Sequence, residues 1–180
     1  MTVPHDDPPI AAPSARPGSA SRRLTLAVAA LVVVLDQLTK HWALDALAGG
    51  RTIDVVGTLR FNLAFNTGAS FSLGTGWGPV VAVLAFVVAV VLVRIAGRLP
   101  SRLAAVAVGM ILGGAVGNLV DRVFRAGDGF LGGAVVDFVD LQWWPIFNIA
   151  DVGIVVGGVL LVIATWRNES GRDPAPAGSS

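Results

Sequence analysis

Two aspartates carry the chemical interest of this chain. Asp137 lies in "VVDF" and Asp151 in "FNIAD", among valine, phenylalanine, alanine, glycine and isoleucine, with no basic residue within a helical turn of either along the sequence. Two carboxylates in one low-dielectric site cannot both ionise easily, so one keeps a proton. Such a pair holds a base and an acid side by side at neutral pH. The base activates water against a peptide carbonyl, and the acid protonates the carbonyl oxygen or the leaving amine. If Asp137 and Asp151 meet, the chemistry is that of an aspartic protease. If each instead finds a distant basic partner, both are structural, and spacing alone leaves the two readings open. Cysteine is absent and the histidines are His5 and His41 only. A thiolate nucleophile, a disulfide framework and a cysteine metal site are thereby excluded, and neither a metal nor another cofactor is expected.

Further polar groups interrupt apolar stretches. Asp36 and Lys40 lie one helical turn apart on one face. Asn118, Asp121 and Arg122 fall in "GNLVDR", and Asn148 shares a face with Asp151. Ionisable groups within a membrane span are functional candidates by default, although Asp36 with Lys40 and Asp121 with Arg122 also read as neutralising pairs that lock a bundle. Glycines 109, 113 and 117, and 153 and 157, form small-residue ridges suited to close helix packing.

The elements that must position these groups are membrane spans. The chain has 180 residues, 54% hydrophobic and 14% charged, with a mean hydropathy of +0.72. That composition indicates an integral membrane protein, and a net charge of +1 gives no support to nucleic-acid binding. Four apolar runs, about 24–44, 79–97, 103–120 and 146–166, are each long enough to span. Arg16, Arg22 and Arg23 precede the first, Arg94, Arg98 and Arg102 crowd the link between the second and third, and Arg167 and Arg172 follow the fourth. The positive-inside rule puts these arginines and both termini in the cytoplasm. Trp42, Trp77, Trp143 and Trp144 then mark outer span ends and Trp166 an inner one, as in an aromatic belt. With this topology the polar groups share one depth toward the outer leaflet, where three helices and the outer segments can present them to a single site.

Between the spans, "LRFNLAFN" (59–66) alternates apolar and mostly polar residues and predicts a strand whose apolar face can rest on lipid. The Gly-rich stretch 125–133 reads as a loop. Residues 1–21 and 169–180 are expected to be disordered cytoplasmic tails flanking a membrane domain over 22–168. "ALA" at 46–48 offers a signal-peptide cleavage site, but Asp36 and Lys40 break the apolar run before it.

Taken together, "DQLTK" (36–40), "NTGASF" (66–71), "GGAVGNLVDR" (113–122), "VVDF" (135–138) and "FNIAD" (147–151) resemble, in order, the five signature boxes of lipoprotein signal peptidase, also called signal peptidase II. The resemblance covers about residues 30–165. It implies an all-α protein of the bacterial inner membrane, with four transmembrane helices and a small extracytoplasmic β-sheet. The implied activity is removal of the signal peptide from prolipoproteins, cutting before a cysteine that carries diacylglycerol. It implies Asp137 and Asp151 as the catalytic pair, and Asp36, Lys40, Asn66, Gly68, Asn118, Arg122, Asn148 and Ala150 as residues that shape or line the site. Asp121 is expected to give structural support and Asp140 to lie outside the site. The expected partners are lipid-modified prolipoproteins and membrane lipids, and a monomer is expected because one bundle can satisfy the glycine ridges.

Three other functions compete. A serine–lysine protease would use Lys40 as base for Ser70 or Ser72, but Asp36 one turn away favours the charged lysine. A small proton or solute carrier would need polar groups across the whole bilayer, whereas the cytoplasmic halves of the spans are almost purely aliphatic. A structural scaffold leaves the unpaired aspartates unexplained.

Overall fold

Long runs of valine, leucine and alanine leave the backbone no hydrogen-bond partner in hydrocarbon except itself, so they form helices. The computed structural model, which describes residues 17–68, 77–125 and 131–170, contains α1 (Pro17–Ala46), α2 (Gly78–Ile95), α3 (Arg102–Phe124) and α4 (Ile149–Ser170). All four are long and apolar enough to cross a membrane. A proline in the first turn opens α2. Ser101 caps α3, its Oγ accepting from Ala104 N at 3.1 Å. α1 begins earlier than the apolar pattern indicates, so residues 17–21 of the expected tail are helical; residues 1–16 and 171–180 lie outside the described part. α4 begins at Ile149 rather than 146, because Phe147 is held extended by pairing with Val139.

α3 is the central helix, with about half of its length buried while α1, α2 and α4 turn large apolar side chains outward. The glycine ridges set its spacing. A Cβ on Gly113 would stand 2.7 Å from Ala29 O of α1, and one on Gly157 would stand 2.8 Å from Ala107 O of α3. Small residues therefore let α1 and α4 approach α3 at backbone distance. Leu47, the central residue of the "ALA" motif, is fully buried.

At one end of the bundle three antiparallel strands, β1 (Thr52–Val56), β2 (Leu59–Asn66) and β3 (Val135–Asp140), form a sheet in that order. β2 matches the expected strand. Gly57, at φ 57, makes the tight turn from β1, a left-handed conformation that glycine adopts without strain. Ala64 pairs with Asp137, Asn66 with Val135 and Arg60 with Asp140. The apolar face of β2 is partly covered by the rest of the protein. Phe61 and Leu63 pack on Ala43, Leu47 and Phe138, with Trp42 edge-on to Phe61 at 5.2 Å. Packing against the end of α1 and β3 leaves these side chains half-buried, and Phe65 of the same face is well exposed. Of the Gly-rich loop, residues 126–130 lie outside the described part.

Candidate active site

The residues that place the two aspartates together belong to the start of α4 and to β3. Asn148 precedes α4 and forms a reciprocal cap with Asp151: Asp151 N donates to Asn148 Oδ1 at 3.0 Å, and Asn148 N donates to Asp151 Oδ2 at 3.2 Å. This satisfies two backbone donors at the helix start and fixes the Asp151 carboxylate where the helix dipole favours negative charge. Asn148 Nδ2 then reaches across to Asp137 Oδ1 at 2.7 Å. A single asparagine thus bridges both carboxylates. The pairing of Phe147 with Val139 draws β3 beside α4 and makes this bridge possible.

Every oxygen of the pair accepts from an amide. Asn66 Nδ2 donates to Asp137 Oδ2 at 3.2 Å, and Asn118 Nδ2 donates to Asp151 Oδ1 at 2.9 Å. Neither aspartate forms an ion pair among the described residues. Asp137 is only 3% exposed. Burial, and after it the charge of Asp151, push its pKa from 3.8 up to about 7, against the opposing pull of Asn66, Asn148 and Lys40.

Behind the pair lies a buried ionic cluster. Lys40 Nζ contacts Asp36 Oδ2 at 2.8 Å and Asp121 Oδ2 at 2.9 Å, and Asp121 Oδ1 accepts from Arg125 Nε at 2.8 Å. Asp36 Oδ1 also accepts from Ala150 N at 2.9 Å, and Asp121 Oδ2 accepts from Val136 N at 3.1 Å. Asp36 thereby ties α1 to the first turn of α4, and Asp121 ties α3 to the strand that bears Asp137. The expected Asp121–Arg122 pair does not form. Adjacent residues of a helix point in different directions, whereas Arg125, one turn on, shares the face of Asp121. Arg122 is instead buried with Nη1 unpartnered among the described residues, and its charge interacts with those of Asp137 and Asp121.

A half-open cleft of ≈ 480 Å³ lies between α2, α3 and α4. Asp137, Asp151, Asn66, Gly68, Asn118 and Arg122 line its polar end, and aliphatic side chains such as Val81, Leu84 and Val88 of α2 line the rest. Gly68, at φ 144, has its N–H on Asn66 Oδ1 at 3.1 Å, and a side chain there would run into the backbone of Gly78. Of the residues singled out in the sequence, these six face the cleft, while Asp36, Lys40, Asn148 and Ala150 form the layer behind it. Asp140 pairs with Arg60 at 2.7 Å, away from the cleft. Ser70 and Ser72 lie outside the described residues. Sequence reasoning missed Gln37, whose Nε2 donates toward Asp36, Asp121 and Gly117 O at 3.1–3.3 Å. It also missed Arg125, although the i,i+4 spacing to Asp121 was visible.

Residues 28–167 match the model of a family described as "Signal peptidase (SPase) II". A lipoprotein signal peptidase of Mycobacterium avium (strain 104) is 45% identical over 163 residues, 90% of this chain and 84% of that one. One from Rhodococcus jostii (strain RHA1) is 43% identical over 163 residues, 89% of this chain and 82% of that one. Two solved structures, each described as a bacterial membrane enzyme determined by the in meso method, are similar with TM-scores of 0.71 and 0.66 at 27% and 28% identity. They cover 86% and 80% of this chain and 94% and 93% of their own.

Proposed function

The chain belongs to the signal peptidase II family, a family of membrane proteases, and on that premise we propose that it is an aspartic endopeptidase of the bacterial inner membrane. It removes the signal peptide from diacylglyceryl-modified prolipoproteins by cutting before the lipidated cysteine. The observation that carries the catalytic assignment is the bridge of Asn148 between Asp137 and Asp151, two carboxylates that line one cleft and form no ion pair among the described residues.

In this reading one proton is shared by the pair and belongs to the pair as a unit. At rest it sits on Asp137, whose burial disfavours the charged form. Asp151, at the start of α4 with Asn118 Nδ2 and Asn148 N donating to it, is the ionised member. It takes a proton from water as the water oxygen adds to the scissile carbonyl carbon, and Asp137 gives its proton to the carbonyl oxygen. Collapse of the tetrahedral intermediate breaks the C–N bond as one of its hydroxyls returns a proton to Asp137, and the proton gained by Asp151 passes to the leaving amine. The buried Nη1 of Arg122 is an available donor for a substrate carbonyl. The aliphatic length of the cleft suits a substrate that is itself lipidated and helical. Both termini face the cytoplasm and the site faces the outer leaflet, as the arginine distribution favours. The carrier reading gains nothing, since among the described residues the buried charged side chains cluster at the sheet end.

The test is cleavage of a diacylglyceryl-modified prolipoprotein by purified wild type, Asp137→Asn and Asp151→Asn, with the unlipidated precursor as control. Wild type cuts only the lipidated form and both variants are folded but inactive. Near wild-type cleavage by either variant would falsify the assignment.

A further inference from the structure

Among the described residues, the most deeply buried cation has no part in the chemistry above. Lys40 is fully shielded from solvent, and its three N–H donors are taken by Asp36 at 2.8 Å, Asp121 at 2.9 Å and Asn118 Oδ1 at 3.0 Å. An ammonium donates and never accepts. It therefore obliges the Asn118 amide to turn its oxygen toward α1. Asn148 Nδ2, 3.1 Å from the same oxygen, enforces the same choice, and its own orientation is fixed because Asn148 Oδ1 accepts from Asp151 N. One direction is left for Asn118 Nδ2, and that direction is Asp151 Oδ1. The flipped amide would set an NH₂ against an ammonium and an oxygen against a carboxylate.

Net charge does not explain the arrangement. Among the described residues, the ionisable groups around the pair are Lys40 and Asp36 on α1, and Asp121, Arg122 and Arg125 on α3, while α2 turns only aliphatic side chains into the cleft, next to Trp77 just before it. Lys40 and Arg125 balance Asp36 and Asp121, so this quartet is neutral. What Lys40 delivers to Asp151 is direction.

We propose that Lys40 is a positioning residue for the peptidase reaction: through Asn118 it fixes the amide donor on Asp151 and so holds that carboxylate oriented and ionised for water activation. The proposal rests on Asp151 being the base.

The test uses Asn118→Leu, the charge-balanced double variant Lys40→Met with Asp36→Asn, and the combination of all three, comparing kcat, KM and the pH profile with wild type. The double variant removes one charge of each sign and leaves Asp121 paired with Arg125. Asn118→Leu is expected to lower kcat roughly ten- to hundredfold with KM within about twofold. Loss of a donor to the charged form also moves the acid limb of kcat to higher pH. The double variant reproduces both changes, and the combination is no worse than Asn118→Leu alone, because both act through one amide. Wild-type kcat and acid limb in the double variant, or losses that multiply in the combination, overturn the proposal. Should the double variant not fold, Asn118→Asp decides. Its new carboxylate still accepts from Lys40 and Asn148 but offers Asp151 no donor, so it should lose as much as Asn118→Leu, and near wild-type turnover refutes the idea. Asp151→Asn run alongside separates the two levels, since its full activity would remove the aspartate pair itself.

Discussion

Replacing Asp137 by Asn probes the electrostatics of the site through stability, without relying on turnover. The carboxyl is 3% exposed, and burial first, then the charge of Asp151, lift its pKa from 3.8 to about 7. An acid whose pKa is higher in the fold than in the unfolded chain contributes stability that is fully present below the unfolded value. That contribution is lost as pH rises through the folded value. Between the two values the unfolded chain has released its proton and the fold has not, so stability falls by about 1.4 kcal/mol per pH unit. The full loss is about 4 kcal/mol, of which roughly 2–3 kcal/mol develops between pH 5 and 8. Asn does not titrate. The stability of Asp137→Asn relative to wild type should therefore grow by that amount over this interval. Its amide meets Asn66 Nδ2 donor to donor, which shifts the curve by a pH-independent amount and leaves the slope intact. The assay is reversible unfolding of both proteins in mixed micelles at several pH values. Parallel stability curves for wild type and variant would refute the claim that Asp137 is held protonated by its surroundings.

Other expectations follow from the same contacts. Because Asp137 must carry the proton, kcat/KM should fall about tenfold per pH unit above roughly 7, and a profile flat to pH 9 would contradict that role. Gly117→Ala places a methyl 2.6 Å from Asp36 Oδ2; it should destabilise the fold by about 1–3 kcal/mol and reduce cleavage, and unchanged unfolding would show that α1 and α3 have slack. Arg60→Ala breaks a 2.7 Å pair whose arginine side chain is 35% exposed, so unfolding should register about 1 kcal/mol or less and cleavage should stay within about twofold. Combined Ser70→Ala and Ser72→Ala should leave cleavage intact, because Lys40 is held by two carboxylates; loss of activity would revive the serine–lysine mechanism.

The sequence showed most of what depends on local pattern. Four spans were legible from apolar length, the β2 strand from alternation and the glycine ridges from their fourfold spacing. The concentration of polar groups at one depth followed from the arginine distribution. Contacts between distant segments were not legible. Lys40 meets Asn118 across 78 positions and Asn66 meets Asp137 across 71, and no local spacing encodes either. Strand β1 escaped because its five residues are all exposed and carry no burial alternation. Strand β3 escaped for the opposite reason: nearly every side chain is buried, its aspartates Asp137 and Asp140 included, so its polar and apolar residues show no period of two. The choice of Arg125 over Arg122 as partner of Asp121 turned on helical direction, which the spacing contained.

The central claim is that Asp137 and Asp151 act as one unit. It is tested most directly by single-turnover cleavage of lipidated substrate by Asp137→Asn, Asp151→Asn and the variant carrying both. Residues of one catalytic unit are strongly non-additive. The account predicts that each single variant is as inactive as the double while all three still bind substrate. A double variant slower than either single one by the product of their separate losses would contradict it.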